Sequence, residues 1–189
     1  MAESIWMATL AEFRDRVAGL DPVPAGVSAA AVTATLGLGL VTKVLEIASK
    51  RKDYSGNREL AAELVHAARN LSQLLAHFAD ADIAAFREYL DARRRKEPMD
   101  AALRKTIEVP LGVARAAASG VALCEKSFGL VHKAVRPDLE TAKVLLAAAT
   151  RCAIFTLRAN LEELPSADSY RAELAAEAGG LLQNISAHE

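Results

Sequence analysis

The chain has 189 residues, of which 52% are hydrophobic and 25% charged, and its formal net charge is -1. This length fits one domain, so we expect residues 1–189 to form a single unit with its own core. Lys and Arg are scattered among Asp and Glu and form no basic stripe, which argues against nucleic acid as a partner.

Helical periodicity dominates the sequence, and few segments look like strands. Breaks at proline, glycine and asparagine divide the pattern into helices predicted at 4–18, 26–51, 58–95, 99–132, 137–164 and after 168. We expect Pro110 to kink or divide the fourth helix, Ser166 or Asp168 to cap the last, and Gly179–Gly180 to weaken it. The predicted fold class is all-α, a bundle of five to six helices, several of them long.

Residues 22–42 form an uncharged run of 21 residues, which is long enough to cross a bilayer. Alanine, glycine, threonine and serine dominate this run, so its insertion into a membrane would be marginal. Small residues recur in it at helical spacing, as at Gly26, Ala30 and Ala34, and allow neighbouring helices to approach closely. We therefore favour a central helix of a soluble bundle, with no membrane contact.

Neither the cysteines nor the histidines have a spacing that suits a metal. Cys124 and Cys152 lie outside any CxxC or Cys/His pattern, and we expect both to be reduced core thiols. No spacing that a metal would need occurs among the four histidines, which are His66, His77, His132 and His188. The N-terminal residues do not resemble a secretory signal, and we expect a cytoplasmic protein.

Asp82 is a charged residue inside the apolar stripe of the third helix. It lies four residues after Phe78 and four before Phe86, so it projects from the middle of the packed side. A carboxylate there needs a partner. Two roles stay open, a structural cap or ion pair with a neighbouring helix and a ligand-binding group. Asp80 points elsewhere and is expected in solvent.

Lys43 lies on an apolar side of the second helix, seven residues after Leu36 and four before Ile47. Its long stem would let the ammonium group reach solvent, which is the simpler interpretation. The basic loop that follows, at 50–54, is by itself a weak signal for anion binding.

On the fifth helix, Arg151 and Arg158 flank Phe155 and are interpreted as interhelical contacts. The sequence has no nucleophile elbow, Walker loop or Rossmann fingerprint.

Five motifs follow one another along the chain. They are "DPVPAGVSAAAVTATLGLGL" at 21–40, "KRKDY" at 50–54, "DIAAF" at 82–86, "EVPLGVARAA" at 108–117 and "PDLETAKVLLAAATRCAIFTLRANL" at 137–161. In this order they resemble the cyclodeaminase domain of formiminotransferase-cyclodeaminase and its stand-alone relative, bacterial methenyltetrahydrofolate cyclohydrolase. The resemblance covers nearly the whole chain.

The resemblance implies a homodimer of helical bundles that binds a reduced folate, with or without a polyglutamate tail. Such a protein either removes ammonia from 5-formiminotetrahydrofolate or hydrates the 5,10-methenyl bridge to 10-formyltetrahydrofolate. Both are acid–base reactions at one carbon, and neither a metal nor a cofactor beyond tetrahydrofolate is implied. Asp82 is then the expected catalytic group. The implied substrate-binding residues are Pro24, Gly26, Ser28, Lys43, Lys52, Tyr54, Asp138 and Arg158.

The sequence departs from this family in the turn before Ser28. Ala25 and Val27 stand where the family has glycines, and we expect Val27 to add bulk where a ligand approaches the backbone. Pro137 precedes Asp138 where the family has serine. Two alternatives to an enzyme therefore stay open. One is a non-catalytic relative acting as a dimeric small-molecule-binding or interaction module, and the other is an unrelated helical scaffold, including a membrane-associated bundle.

Overall fold

The computed structural model describes residues 4–187, and within them the chain is helical with no strand, which confirms the all-α prediction. The α-helices are α1 (Leu10–Val17), α2 (Gly26–Lys50), α3 (Arg58–Arg95), α4 (Asp100–Ser127), α5 (Arg136–Glu162) and α6 (Ser169–Ser186). Short 3-10 helices lie at Ile5–Met7, Phe128–Leu130 and Lys133–Val135.

The central helix of the bundle is α2, which packs against α3, α4 and α5. Two of these neighbours, α3 and α5, run antiparallel to α2, because Glu46 pairs with Arg69 of α3 and Lys43 with Asp138 near the start of α5. At Gly37 an added Cβ would lie 3.0 Å from Leu146 Cγ, so only a very small residue allows α5 this close. The small residues of the uncharged run thus determine how tightly the bundle closes.

Several predicted helix ends agree with the structure. The bounds of α3 are confirmed, and the Asn57 side chain caps it by accepting a hydrogen bond from Leu60 N at 3.0 Å. Asp168 caps α6 by accepting from Tyr170 N at 2.9 Å, so Ser166 is not the cap. The α6 helix continues through Gly179–Gly180, and the predicted weakening does not interrupt it.

The prediction of one helix over 4–18 was wrong, because the segment is divided at Thr9. Thr9 and Glu12 form a capping box, in which each side chain accepts from the other's backbone N–H, and this starts α1. No residue of α1 is fully buried, and Leu10 is 80% exposed. The capping box therefore determines where α1 begins, although the apolar periodicity continues through Thr9.

Pro110 does not divide α4, contrary to one of the two predicted outcomes. Proline has no N–H to donate to the carbonyl of Thr106, four residues earlier. Asn160 of α5 takes that place, since its Nδ2 donates to the Thr106 oxygen at 2.6 Å. The carbonyl that proline leaves unpaired is satisfied from the next helix, and α4 continues.

One prediction of burial was wrong, and the outward side of α2 could not be predicted. Cys124 is buried, but Cys152 is exposed on α5. The apolar side of α2 that carries Lys43 faces outward, with Leu36 58% and Ile47 46% exposed. Because α2 is apolar on nearly all sides, periodicity does not show which of them the bundle covers.

By length and composition alone, three described helical segments could cross a membrane. They are Gly26–Lys50, Asp100–Leu130 and Lys133–Glu162, with mean hydropathy of 1.5, 1.4 and 1.4. Of their most apolar windows 50%, 61% and 44% are buried inside the bundle. Protein neighbours therefore cover about half of this surface, and a soluble bundle stays a prediction.

The contact between α4 and α3 at Gly112 gives a test of the packing. A Cβ on Gly112 would lie 2.3 Å from Phe78 Cζ, so Gly112→Ala has to displace the ring. We expect a loss of about 1–2 kcal/mol in the free energy of unfolding, measured by urea denaturation, after the gain in helix propensity is included.

The matched control is Gly179→Ala in α6, where no atom lies within 4 Å of the added Cβ. This variant should be up to about 1 kcal/mol more stable than the wild type. Equal stability of the two variants would contradict the packing described for α3 and α4.

Candidate functional site

Asp82 holds the start of α2 from the neighbouring helix α3. Its Oδ2 accepts a hydrogen bond from Ser28 N at 3.1 Å and another from Ser28 Oγ at 2.6 Å. Ser28 lies in the first turn of α2, where N–H groups have no partner within the helix. Ala25, at the N-cap, makes no side-chain capping bond. Asp82 therefore caps α2 from outside that helix, which is one of the two roles predicted for it.

The second oxygen of Asp82 remains open. Among residues 4–187, the hydrogen bonds of this carboxylate end on Oδ2, and Asp82 takes part in no ion pair. Within the described residues Oδ1 accepts no hydrogen bond, so its lone pairs are available to a ligand. Burial raises the pKa of Asp82, and the two hydrogen bonds from Ser28 lower it in part. The result is a half-buried carboxyl with one oxygen bound by Ser28 and the other free of described partners.

Asp80 is not simply solvated, so that prediction was wrong. It accepts hydrogen bonds from Ser4 Oγ at 2.6 Å and from Ile5 N at 2.9 Å. Trp6 Nε1 adds a bond to the Ala76 carbonyl at 2.9 Å. The N-terminal segment is thereby attached to α3 beside Asp82. Nothing in the sequence pairs Asp80 with residues some 75 positions away.

The turn before α2 differs from the prediction at Val27. Its side chain is 2% exposed and packs in the core, so it adds no bulk on the ligand side. Ala25 has a φ of -136°, which does not require glycine. Pro24 is buried after a cis peptide bond, whereas Gly26 is exposed with no atom near its missing Cβ. Ser28 is 0% exposed, so it contacts Asp82 and not the solvent.

The other predicted binding residues are spread along the bundle. Lys43 pairs with Asp138 at 3.5 Å, about 22 Å from Ser28 along α2. Their side chains are 59% and 44% exposed, so each partly neutralises the other. Arg158 is exposed near the end of α5, about 30 Å beyond Asp138. Since α5 runs antiparallel to α2, Arg158 lies toward the end that carries Asp82.

Lys52 and Tyr54 lie at the opposite end of α2, about 33 Å from Ser28. Lys52 is exposed, but the Tyr54 hydroxyl is buried without a hydrogen-bond partner. The Tyr54 ring lies against Gly56, and the Arg58 guanidinium is 5.2 Å from its centre. Within one chain this loop and Asp82 therefore do not share a site.

Asp82 lies outside the main clefts of the described chain. Five clefts among residues 4–187 measure 330 to 610 Å³, and Asp82 lines none of these five. The largest lies between the N-terminal segment and α1 and is lined by Met7, Ala8, Glu12, Asp15, Arg16, Gly19 and Asp21. Three carboxylates against one guanidinium make this cleft unsuited to an anionic ligand.

In the described part of the chain, no three His, Cys, Asp or Glu side chains lie close enough to hold a metal. His188 lies outside the described residues. A metal-free reaction stays a prediction.

Comparison with known proteins bears on the whole chain. The model of the family described as formiminotransferase-cyclodeaminase matches residues 9–179. The formimidoyltransferase-cyclodeaminase of Sus scrofa is 26% identical over 192 residues, and the match spans 96% of this chain but only 35% of the pig protein.

A solved structure shows the same fold. The formiminotetrahydrofolate cyclodeaminase of Thermotoga maritima matches with a TM-score of 0.85 and 24% identity, over 97% of this chain and 96% of that one. The family match extends from the cap of α1 into α6 and includes Ser28 and Asp82. The chain belongs to the formiminotransferase-cyclodeaminase family.

Proposed function

We propose that the protein is a folate-dependent one-carbon enzyme with Asp82 as its acid–base group. The observation that carries this proposal is the geometry of Asp82, whose Oδ2 is anchored by Ser28 while Oδ1 has no hydrogen-bond partner among residues 4–187. Burial raises the pKa of this carboxyl toward neutral pH, which suits proton transfer better than an ordinary Asp does. Family membership supports a reduced folate as the substrate.

The reaction favoured by the names of the relatives is ammonia release from 5-formiminotetrahydrofolate. N10 attacks the carbon of the protonated formimino group and loses its proton, the terminal NH2 takes up that proton, the bond from the carbon to this nitrogen breaks, and ammonia leaves together with the 5,10-methenyl cation as products. Asp82 Oδ1 accepts the proton from N10 and returns it to the departing nitrogen. Hydration of a 5,10-methenyl bridge would use the same oxygen to take a proton from water, and this is the competing reaction.

Two predicted residues lie at the same end of the bundle as Asp82 and are proposed to bind the folate in the same chain. Gly26 is exposed at the first turn of α2, where backbone N–H groups favour an acceptor or anion. Arg158 adds a positive charge for the glutamate tail. Lys43, Asp138, Lys52 and Tyr54 lie farther along the bundle.

In this proposal a homodimer brings the loop of one copy that carries Lys52 and Tyr54 to the end of α2 that carries Ser28 in the other copy. The outward stripe of α2, formed by Thr33, Leu36, Leu40, Lys43 and Ile47, is centred on Leu40. Ser28 and Lys52 are each twelve residues from that centre. Two copies packed antiparallel along the stripe therefore bring Lys52 of one copy level with Ser28 of the other. On α5, Val144 is 64% and Phe155 65% exposed, which extends the apolar surface available for the contact.

The first test is Asp82→Asn, which keeps the size of the side chain and an oxygen for Ser28. We expect kcat to fall by about 10²- to 10⁴-fold, because a proton-transfer group is lost while the cap remains. Conversion of 5-formiminotetrahydrofolate is followed by the absorbance of the 5,10-methenyl product, and calorimetry measures folate binding. Asp91→Asn, on the exposed part of α3, is the control and should keep wild-type turnover.

Full turnover by a folded Asp82→Asn protein would remove Asp82 from the mechanism. Loss of the methenyl absorbance without formimino turnover would identify the cyclohydrolase reaction. If the wild type neither binds nor converts a reduced folate, the enzyme proposal fails and the non-catalytic module is the better interpretation.

The dimer is tested by sedimentation. The wild type should sediment at twice the chain mass of 20.1 kDa. Leu36→Glu should shift it toward the monomer and lower turnover, because a charge would lie in the apolar contact. Leu74→Glu is the control, since Leu74 is also exposed but lies on α3. A wild-type monomer with full activity contradicts the shared site.

The location is also part of the proposal, as a cytoplasmic protein with no membrane or nucleic-acid partner. After cell fractionation the protein should be found in the soluble fraction. Protein that stays with membranes after a salt wash would instead support a role for the apolar helices in lipid.

A further inference from the structure

The two hydrogen bonds that Asp82 receives end on the same oxygen. Ser28 N and Ser28 Oγ both donate to Oδ2, at 3.1 Å and 2.6 Å. We infer that Ser28 is a positioning residue, which reserves Oδ2 as an acceptor and thereby assigns proton transfer to Oδ1. This inference rests on the proposed acid–base role of Asp82 and revises the substrate contact expected for Ser28.

Protonation of the carboxyl is directed by these donors. The lone pairs of Oδ2 already accept the N–H and the O–H hydrogen of Ser28, so a proton on Oδ2 would compete with both. A proton on Oδ1 leaves both bonds from Ser28 intact and lies on the oxygen that has no hydrogen-bond partner in the described part of the chain. The carboxyl can therefore take up and release a proton without rearranging the start of α2.

Ser28 has little freedom to do anything else. It is 0% exposed, so water cannot replace its hydroxyl if the group is removed. The other acceptor within reach is the Ala79 carbonyl, 3.4 Å from Oγ, and this is a much longer contact than the 2.6 Å to Asp82. The one hydroxyl hydrogen of Ser28 is therefore donated to Asp82 Oδ2.

The charged groups on the surrounding elements leave this role to Ser28. On α2 no charge occurs between Gly26 and Thr42, and on α3 Asp80 is bound to Ser4 and Ile5 while Arg87 is exposed. On α4 at this end, Lys105 pairs with Glu88, Arg104 lies over the Tyr170 ring at 4.6 Å, and Asp100 and Glu108 are exposed. On α5 the charged groups at this end are the exposed Arg158 and Glu162. The pKa of Asp82 is shifted by its burial and by Ser28, with no contribution from a charged neighbour.

The test compares pH profiles of kcat/KM for the wild type and Ser28→Ala. The ionised carboxylate is the active base, so activity falls as pH drops through the pKa of Asp82. Removal of a donor to the ionised form raises that pKa, and the acid limb should move up by about one to two pH units. At high pH the variant should recover most of the wild-type rate, because the backbone N–H of Ser28 still holds Oδ2.

Two further variants separate positioning from general damage. Ser28→Thr keeps the hydroxyl and should keep the wild-type pH profile, even if the added methyl lowers stability. Ser127→Ala removes another buried hydroxyl, one that donates to the Leu123 carbonyl of its own helix, and it should leave the profile unchanged. A rate that falls equally at all pH values in Ser28→Ala, or an unmoved acid limb, would overturn the inference.

A measurement without turnover keeps this inference apart from the proposed function. Carbon NMR of the Asp82 carboxyl gives its pKa in the wild type and in Ser28→Ala directly. An upward shift in the variant supports the control by Ser28 even if no folate is converted. An unchanged titration refutes it even in an active enzyme.

Discussion

The contact between Asp82 and the first turn of α2 is the constraint on which the rest of the structure depends. It joins the middle of the longest helix to the start of the central one, and it provides an acceptor for a backbone N–H that would otherwise be buried without a partner. The same carboxyl carries the proposed chemistry. The cap thus uses Oδ2 of Asp82 and the proposed proton transfer uses Oδ1, so one side chain can serve in both roles.

The composition of α2 explains both its central position and its open side. Alanine and glycine let α3, α4 and α5 pack closely around it, whereas Leu36 and Ile47 remain outside the bundle. A helix that is apolar all round is covered on every side in a large core, but a bundle of this size covers only part of it. The mean hydropathy of 1.5 and the exposed stripe therefore have the same cause, and the second copy that we propose would cover this stripe.

Much of the fold could be predicted from the sequence because the helices are long and their breaks are local. The bounds of α3 follow from an uninterrupted apolar period and a capping asparagine. Asp82 could be singled out because a charge in a packed stripe is visible in one dimension. The burial of Val27 was not predictable in this way, since the direction of a side chain at a helix start depends on how the preceding turn enters. Asp80 was missed because its partners come from the other end of the sequence.

The distribution of the site residues shows a second limit. Motifs that occur close together in a family pattern, such as those at Ser28 and Tyr54, lie at opposite ends of a helix of about 37 Å. Sequence order shows that both are present and gives no information on their distance in the assembled protein. Only the helix length and the outward side of α2 reveal that one chain cannot bring them together.

The bond from Asn160 to the Thr106 carbonyl has a mechanical consequence. Helices packed through small apolar side chains can slide along each other at little cost, because one methyl contact replaces another. A directional bond to the backbone at Pro110 stops this movement, since a shift by one residue would leave a buried carbonyl unpaired. Pro110 would weaken α4 as an isolated helix. Here the carbonyl that it leaves free binds Asn160 and thereby fixes the position of α4 along the axis of α5.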